Sequence, residues 1–177
     1  MPDIVMRSLR EEDAAAVLDA HLRNRAYLAP FEPPRSESFF TLDGQRDRMR
    51  SIVARERAGE LATRAMIRGD RVVGYASFAD LTPSPRCGAT IGYWVDPGEQ
   101  GRGLATAAVA DLLVIAADRG VHRMEAATAP TNTGSQKVLT KNGFVHYGTA
   151  HSHLFLNGAW QDSHLFERIL NDDPPGT

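Results

Sequence analysis

Tyr93-Trp94-Val95-Asp96-Pro97-Gly98-Glu99-Gln100-Gly101-Arg102-Gly103-Leu104-Ala105 holds the end of a strand, a turn and the opening of a long apolar helix. A helix start leaves N–H groups without partners and carries a partial positive charge, so an anion seated there replaces missing hydrogen bonds. Gly101 and Gly103 let the backbone approach phosphate oxygens with no Cβ in the way. Ala105 keeps the next turn narrow, and Arg102 adds a cation. Gln100 to Ala105, including Leu104, is therefore read as a phosphate cradle, with a glycine-softened turn as the bland alternative. Two rival phosphate motifs fail on spacing. The chain's lysines are Lys137 and Lys141 alone, so no Gly-Lys-Ser/Thr string closes a P-loop, and Thr106 stands where a Rossmann fingerprint needs its third glycine.

Working outward, apolar positions Leu104, Ala108, Leu112, Ile115 and Ala116 recur at helical spacing from Arg102 to Arg119, and Gly120 ends the run. Upstream, the pattern predicts a strand over 4–10, a helix from Glu11 to about Tyr27, a proline-stiffened loop over 29–38, and a helix from about Asp43 to Ala58. Strands are expected over 61–67, 71–78 and 89–95, with Gly69-Asp70 as a turn; turn chemistry is a sufficient account of Arg68-Gly69-Asp70. Downstream come a strand over 121–128, a helix over 133–141, a strand over 144–156, the hairpin signal Asn157-Gly158, and a strand over 159–169. The sum is a mixed α/β chain with a mainly antiparallel sheet of about seven strands and about four helices. We expect one domain over 1–170 and a loose tail over 171–177.

With 177 residues, 42% of them apolar and 24% charged, the chain can bury one core without disulfides or metals. A formal charge of -2 exerts no global pull toward nucleic acid or acidic membrane, and a lone Cys87 suits a reducing compartment. The first residues lack the basic flank and apolar run of a signal peptide. Leu104 to Ala117 is too short to span a bilayer and contains Asp111, so a cytoplasmic location is expected. The run Arg46, Arg48, Arg50, Arg55 and Arg57 raises a nucleic-acid reading, but Asp43, Asp47, Glu56 and Glu60 interleave with it, which favours a solvated helix face.

A second constellation lies downstream: Asn132-Thr133-Gly134-Ser135, Lys137-Val138-Leu139, then Lys141-Asn142-Gly143-Phe144. Together with Gln100, Gly103 and Ala105, these residues resemble the GCN5-related N-acetyltransferase (GNAT) superfamily. Leu9-Arg10 with Asp13, and Gly148 followed by Asn157 to Asp162, resemble its RimJ/RimL branch, which acetylates N-terminal amines of ribosomal proteins. The resemblance spans about residues 4 to 168. It implies acetyl-CoA as co-substrate, its pyrophosphate on the amides of Gln100 to Ala105 and its pantetheine arm along the strand ending at Val95. The thioester would lie where this strand and the 121–128 strand splay apart, near an N–H of Trp94 or Val95. Asn132 would bond the pantetheine side, and Lys141 would approach the phosphates. Lys137 is read as solvated.

Acetyl transfer requires a neutral amine, a polarised carbonyl and a proton for the departing thiolate. The resemblance brings Ser135 forward as general acid, since Leu139 stands where many relatives have a tyrosine; the alternative role for Ser135 is a helix cap. Glu125, on the strand beside the expected thioester, is the candidate base, with a strand-edge carboxylate as its alternative. His151 and His153 are expected on one strand face; no third ligand has the spacing of a metal site, and no metal is expected. An α-amine with a pKa of roughly 8 is partly neutral already, so the preferred acceptor is a protein or peptide N-terminus. A small amine, such as a polyamine, an aminoglycoside or an amino-acid toxin, and a catalytically silent acyl-CoA-binding module remain open, as does a homodimer.

Overall fold

Met66 is buried against one face of a sheet while its neighbours Ala65 and Ile67 are buried against the other, as the period of two of a strand dictates. The computed structural model, which describes residues 4–172 and 174, thus has two apolar layers around one sheet. In chain order the elements are β1 (Ile4–Arg7), α1 (Ala14–Leu28), α2 (Leu42–Arg57), β2 (Ala62–Arg68), β3 (Arg71–Thr82), β4 (Gly88–Val95), α3 (Leu104–Asp118), β5 (Arg123–Thr128), α4 (Thr133–Lys141), β6 (Val145–Leu156) and β7 (Ala159–Ile169). The seven strands pair in the order β1-β2-β3-β4-β5-β7-β6. Every pairing is antiparallel except β4 with β5. Leu104, Val109 and Leu112 of α3 join Met66 and Phe78 in one core cluster. Val17 of α1 and Met49 and Ile52 of α2 join Ala65 and Ile67 in the other.

The β4–β5 ladder positions the site. It contains only Gly88↔Arg123, Ala89↔Met124 and Thr90↔Glu125. Beyond Thr90 the two strands diverge, and Gly92 to Val95 remain paired only with β3.

Some boundaries differ from the sequence reading for local reasons. Asp13, buried, accepts from Arg7 through both oxygens at 2.7 Å and from the Arg10 N–H at 2.8 Å. This clamp ends β1 at Arg7 rather than Arg10 and puts the acidic triplet into a short helical turn ahead of α1. Gly103, at φ +77, lies outside helical space, so α3 begins at Leu104. In β6 the register slips between Ala150 and Leu154 around Ser152, at φ +49, and this bulge breaks the alternation that would have put His151 and His153 on one face. Asn157 and Gly158 both have positive φ, as a two-residue hairpin turn requires. Asn171 does not hang loose: its amide donates to the Val121 carbonyl at 3.1 Å. The rest of the expected tail lies largely outside the described residues. Among the described residues no helix is long and apolar enough to cross a membrane.

Candidate active site

At the end of β4, the chain makes a short helical turn over Pro97–Glu99, whose first N–H groups are met by Asp96. It then enters α3 with no side chain capping that helix. Gly101 has φ +72, and a Cβ built there would meet only open space. The N-terminus of a fifteen-residue helix thus follows two left-handed glycines, uncapped by any side chain, and its free N–H groups suit an oxyanion. The Gln100 side chain bonds the Tyr27 hydroxyl. Arg102 is exposed and leans on Glu99, 3.4 Å away, so it is less free than the sequence suggests.

The divergence of β4 and β5 opens a cleft of about 700 Å³. Gly92, Tyr93 and Trp94 form one wall and Ala126 to Thr128 the other, with Asn132 and Ser135 at the start of α4. The missing Cβ of Gly92 leaves space. Thr128 has its hydroxyl oxygen buried without a partner, an acceptor and donor available to a bound polar group.

Inside this cleft the Tyr93 hydroxyl lies 2.9 Å from Oγ of Ser135 and donates to the Ser135 carbonyl at 3.1 Å. Burial pushes the Tyr93 phenol up to about 12 against the smaller lowering from its bond to Ser135, so it stays protonated. Asn132 caps α4: its Oδ1 accepts the Ser135 N–H at 3.0 Å. The cap is therefore Asn132, and the Ser135 hydroxyl is left for other work. Val95 and Trp94 lie on the unpaired edge of β4, and the Trp94 ring stands 5.5 Å from that of His21.

Glu125 is placed elsewhere. It is the last residue of the β4–β5 ladder, is not among the residues lining the cleft, and is held by Arg86, Arg123 and Tyr147. Burial raises its pKa, but the Tyr147 and Arg86 hydrogen bonds and the two arginine charges outweigh that and hold it below the usual range. Its surroundings are those of the strand-edge carboxylate, tied and already ionised. Lys141 is exposed at the end of α4. The next residue, Asn142, donates its amide to the Thr106 carbonyl in the first turn of α3 at 3.2 Å, which brings the end of α4 beside the cradle. Gly143, at φ +76, and Phe144 close α4: their N–H groups bond Thr140 and Leu139, and Phe144 is buried. His151 is exposed beside Asp162, 2.9 Å away.

Comparison with known proteins bears on this arrangement. The Acetyltransferase (GNAT) domain family matches residues 3–145. The chain belongs to the GNAT acetyltransferase family. It is 32% identical over 173 residues to the probable N-acetyltransferase YjcK of Bacillus subtilis (strain 168), covering 96% of this chain and 95% of that one. Among solved structures, the ribosomal-protein-S5-alanine acetyltransferase of Vibrio fischeri is 31% identical with a TM-score of 0.94, covering 99% of this chain and 97% of that chain. RimJ of Mycobacterium smegmatis, solved in complex with CoA-disulfide, is 29% identical with a TM-score of 0.83, covering 94% of this chain and 81% of that one.

A GNAT enzyme takes its acetyl group from acetyl-CoA, and the site fits that co-substrate: an uncapped helix N-terminus for phosphates, an unpaired strand edge, and an orphaned hydroxyl on the opposite wall. Three residues of this acetyltransferase escaped the sequence reading. Tyr93 carries only a strand signal in the sequence, and its place in the strand leading to the cradle is the one feature that points to it. Arg48 and His21 line the cleft from α2 and α1, and nothing in their spacing marks them.

Proposed function

We propose that this acetyltransferase acylates the N-terminal amine of a protein or peptide, with Ser135 and Tyr93 supplying the thiolate proton. The observation that carries the reading is the Tyr93–Ser135 hydroxyl contact at 2.9 Å on the cleft wall. A phenol held up to about 12 by burial stays protonated and can replace the proton that Ser135 gives to the thiolate, while the proton the amine loses passes to water, from which the phenol is restored. When bound, acetyl-CoA supplies an acetyl group already activated as a thioester. The amides of Gln100 to Ala105 would hold its pyrophosphate and Lys141 would face its phosphates. The backbone N–H groups near Trp94 and Val95, free of β5, would polarise a carbonyl presented to them. Asn132 contributes by fixing the first turn of α4 and with it Ser135.

The acceptor reading rests on what the cleft lacks as a base. Its two carboxylates are committed, Glu32 to Arg35 at 3.5 Å and Asp162 to the Ser152 N–H at 2.8 Å and to His151. Glu125, outside the cleft and tied in its arginine cluster, takes no part as base. Without a strong base an α-amine, partly neutral near pH 8, is a better acceptor than a lysine near 10.4. The named activity of the Vibrio fischeri relative supports the same choice. Because the proposed acceptors belong to the cytoplasm, that is the proposed location. Thiol release from acetyl-CoA, measured with peptides that differ only in a free or acetyl-blocked N-terminus, tests the proposal. Turnover is expected with the free form, and equal turnover of a blocked peptide whose lysine is its one amine would refute it.

A further inference from the structure

Arg48 stands apart from the other arginines of α2. Arg46 and Arg50 pair with Asp43 and Asp47, and Arg55 with Glu60, all on the solvent side. Arg48 is half-buried and lines the cleft instead. Its guanidinium lies 5.5 Å from the Phe39 ring centroid and 5.8 Å from that of Tyr75. Among the described residues it has ring faces as neighbours and no hydrogen bond or ion pair. A cation drawn out of water in this way is costly until an anion reaches it.

The Glu32 charge reaches Arg48, but no carboxylate among the described residues pairs with it. Of the cleft carboxylates, Glu32 is tied to Arg35, and Asp162 to His151 and the Ser152 N–H. His21, buried between Phe39 and Trp94, has its pKa lowered to about 4 by burial and by the charges of Arg48 and Arg35, so it adds no charge at neutral pH and reports a positive field. The rings of Trp94 and His21, with centroids 5.5 Å apart, form a wall of the cleft next to Tyr93, backed by Phe39, whose ring lies 4.8 Å from His21 and beside the Arg48 guanidinium. An acceptor whose amine faces Tyr93 and Ser135 can run along this wall and end at Arg48.

We infer that Arg48, with Arg35 behind it, forms an anion subsite that selects acceptors carrying a carboxylate near the amine, namely N-terminal segments with an acidic side chain among their first few residues. The inference rests on the N-terminal reading above, and its test separates the two. Peptides sharing an N-terminal alanine and differing only in Glu, Gln or Lys at positions two to four would be assayed with the wild type, Arg48→Gln and Arg48→Lys. The quantity read is the ratio of kcat/KM for Glu over Gln within each enzyme preparation, which is independent of how much enzyme is folded. A charge-assisted bond predicts a ratio of about tenfold or more for the wild type. The ratio should fall to about one in Arg48→Gln and be partly kept in Arg48→Lys. A wild-type preference for Lys peptides, or a ratio unchanged in Arg48→Gln, would overturn the subsite. Free glutamate and aspartate form a separate arm: their turnover in place of peptides would support the subsite and refute the N-terminal reading. If the wild type turns over none of these amines, that reading fails, and calorimetric binding of the N-acetylated Glu and Gln peptides in the presence of CoA still decides the subsite. Tighter binding of the Glu form, lost in Arg48→Gln, supports it, and equal binding overturns it.

Discussion

The Tyr93 hydroxyl and the Ser135 hydroxyl stand 2.9 Å apart across the cleft, and the phenol is also 3.1 Å from the Ser135 carbonyl. The backbone of Ser135 is anchored separately, through its N–H to Asn132 at 3.0 Å. In the proposed mechanism, stability and chemistry at the start of α4 fall to different side chains, Asn132 and Ser135, so mutation can separate them.

Ser135→Ala is expected to lower kcat by about 100-fold, with little change in KM for acetyl-CoA, because a proton donor to the leaving group acts mainly in the transition state. Tyr93→Phe should lower kcat as well, and the double variant should lose less than the product of the two single effects, since the hydroxyls act as one unit. The cap variant Asn132→Ala should behave differently, losing about 1 kcal/mol of stability. Measuring melting temperature and kcat on each preparation checks this. A threefold or smaller change in kcat for Ser135→Ala would assign the thiolate proton to another donor.

Gly103→Val should abolish the thermal stabilisation that acetyl-CoA gives the wild type. At φ +77 a branched residue costs about 1–2 kcal/mol, and its side chain would obstruct the open N-terminus of α3. The check is a melting curve with and without acetyl-CoA. A folded variant with the wild-type shift would remove the cradle.

Stability should fall as pH drops from 7 to 5, in part through His21. Its folded pKa of about 4 lies below its ordinary 6.5, so the unfolded chain binds more protons between these values. The stabilisation from a neutral buried ring is present above 6.5 and is lost as pH falls toward 4. The arithmetic gives a loss of about 2 kcal/mol between pH 7 and 5. His21→Phe, which keeps a ring between Phe39 and Trp94, should flatten that part of the curve in urea melts; an unchanged slope would contradict the assignment.

The sheet and helices were legible because their signals are local. Leu104 to Ala116 repeats at helical spacing, and Asn157-Gly158 demands a hairpin. Asn132 and Gly143-Phe144 were legible as a pattern, but their physics as a helix cap and a helix stop needed coordinates. Ser135 was found through resemblance. Its partner Tyr93, distant in the chain, was not, because a hydroxyl pair across a strand and a helix has no spacing rule. Glu125 lies next to the expected thioester along the chain, yet the β4–β5 ladder ends on it, and three neighbours occupy its carboxylate. Arg48 was hidden by its company. Charge alternation along α2 groups Arg48 with Arg46, Arg50 and Arg55, which pair with acidic neighbours, and only packing against Phe39 and Tyr75 shows that Arg48 has left that face.

Acetyl transfer to an N-terminal amine is proposed to occur in a cleft without a strong base among the described residues. The most direct test is a competition within one peptide that has a free N-terminus and one internal lysine, incubated with acetyl-CoA and sequenced by tandem mass spectrometry at early times. The acetyl group is expected on the α-amine, with at least tenfold less on the lysine at pH 7.5. Acetylation of the lysine first, or to an equal extent, would contradict it.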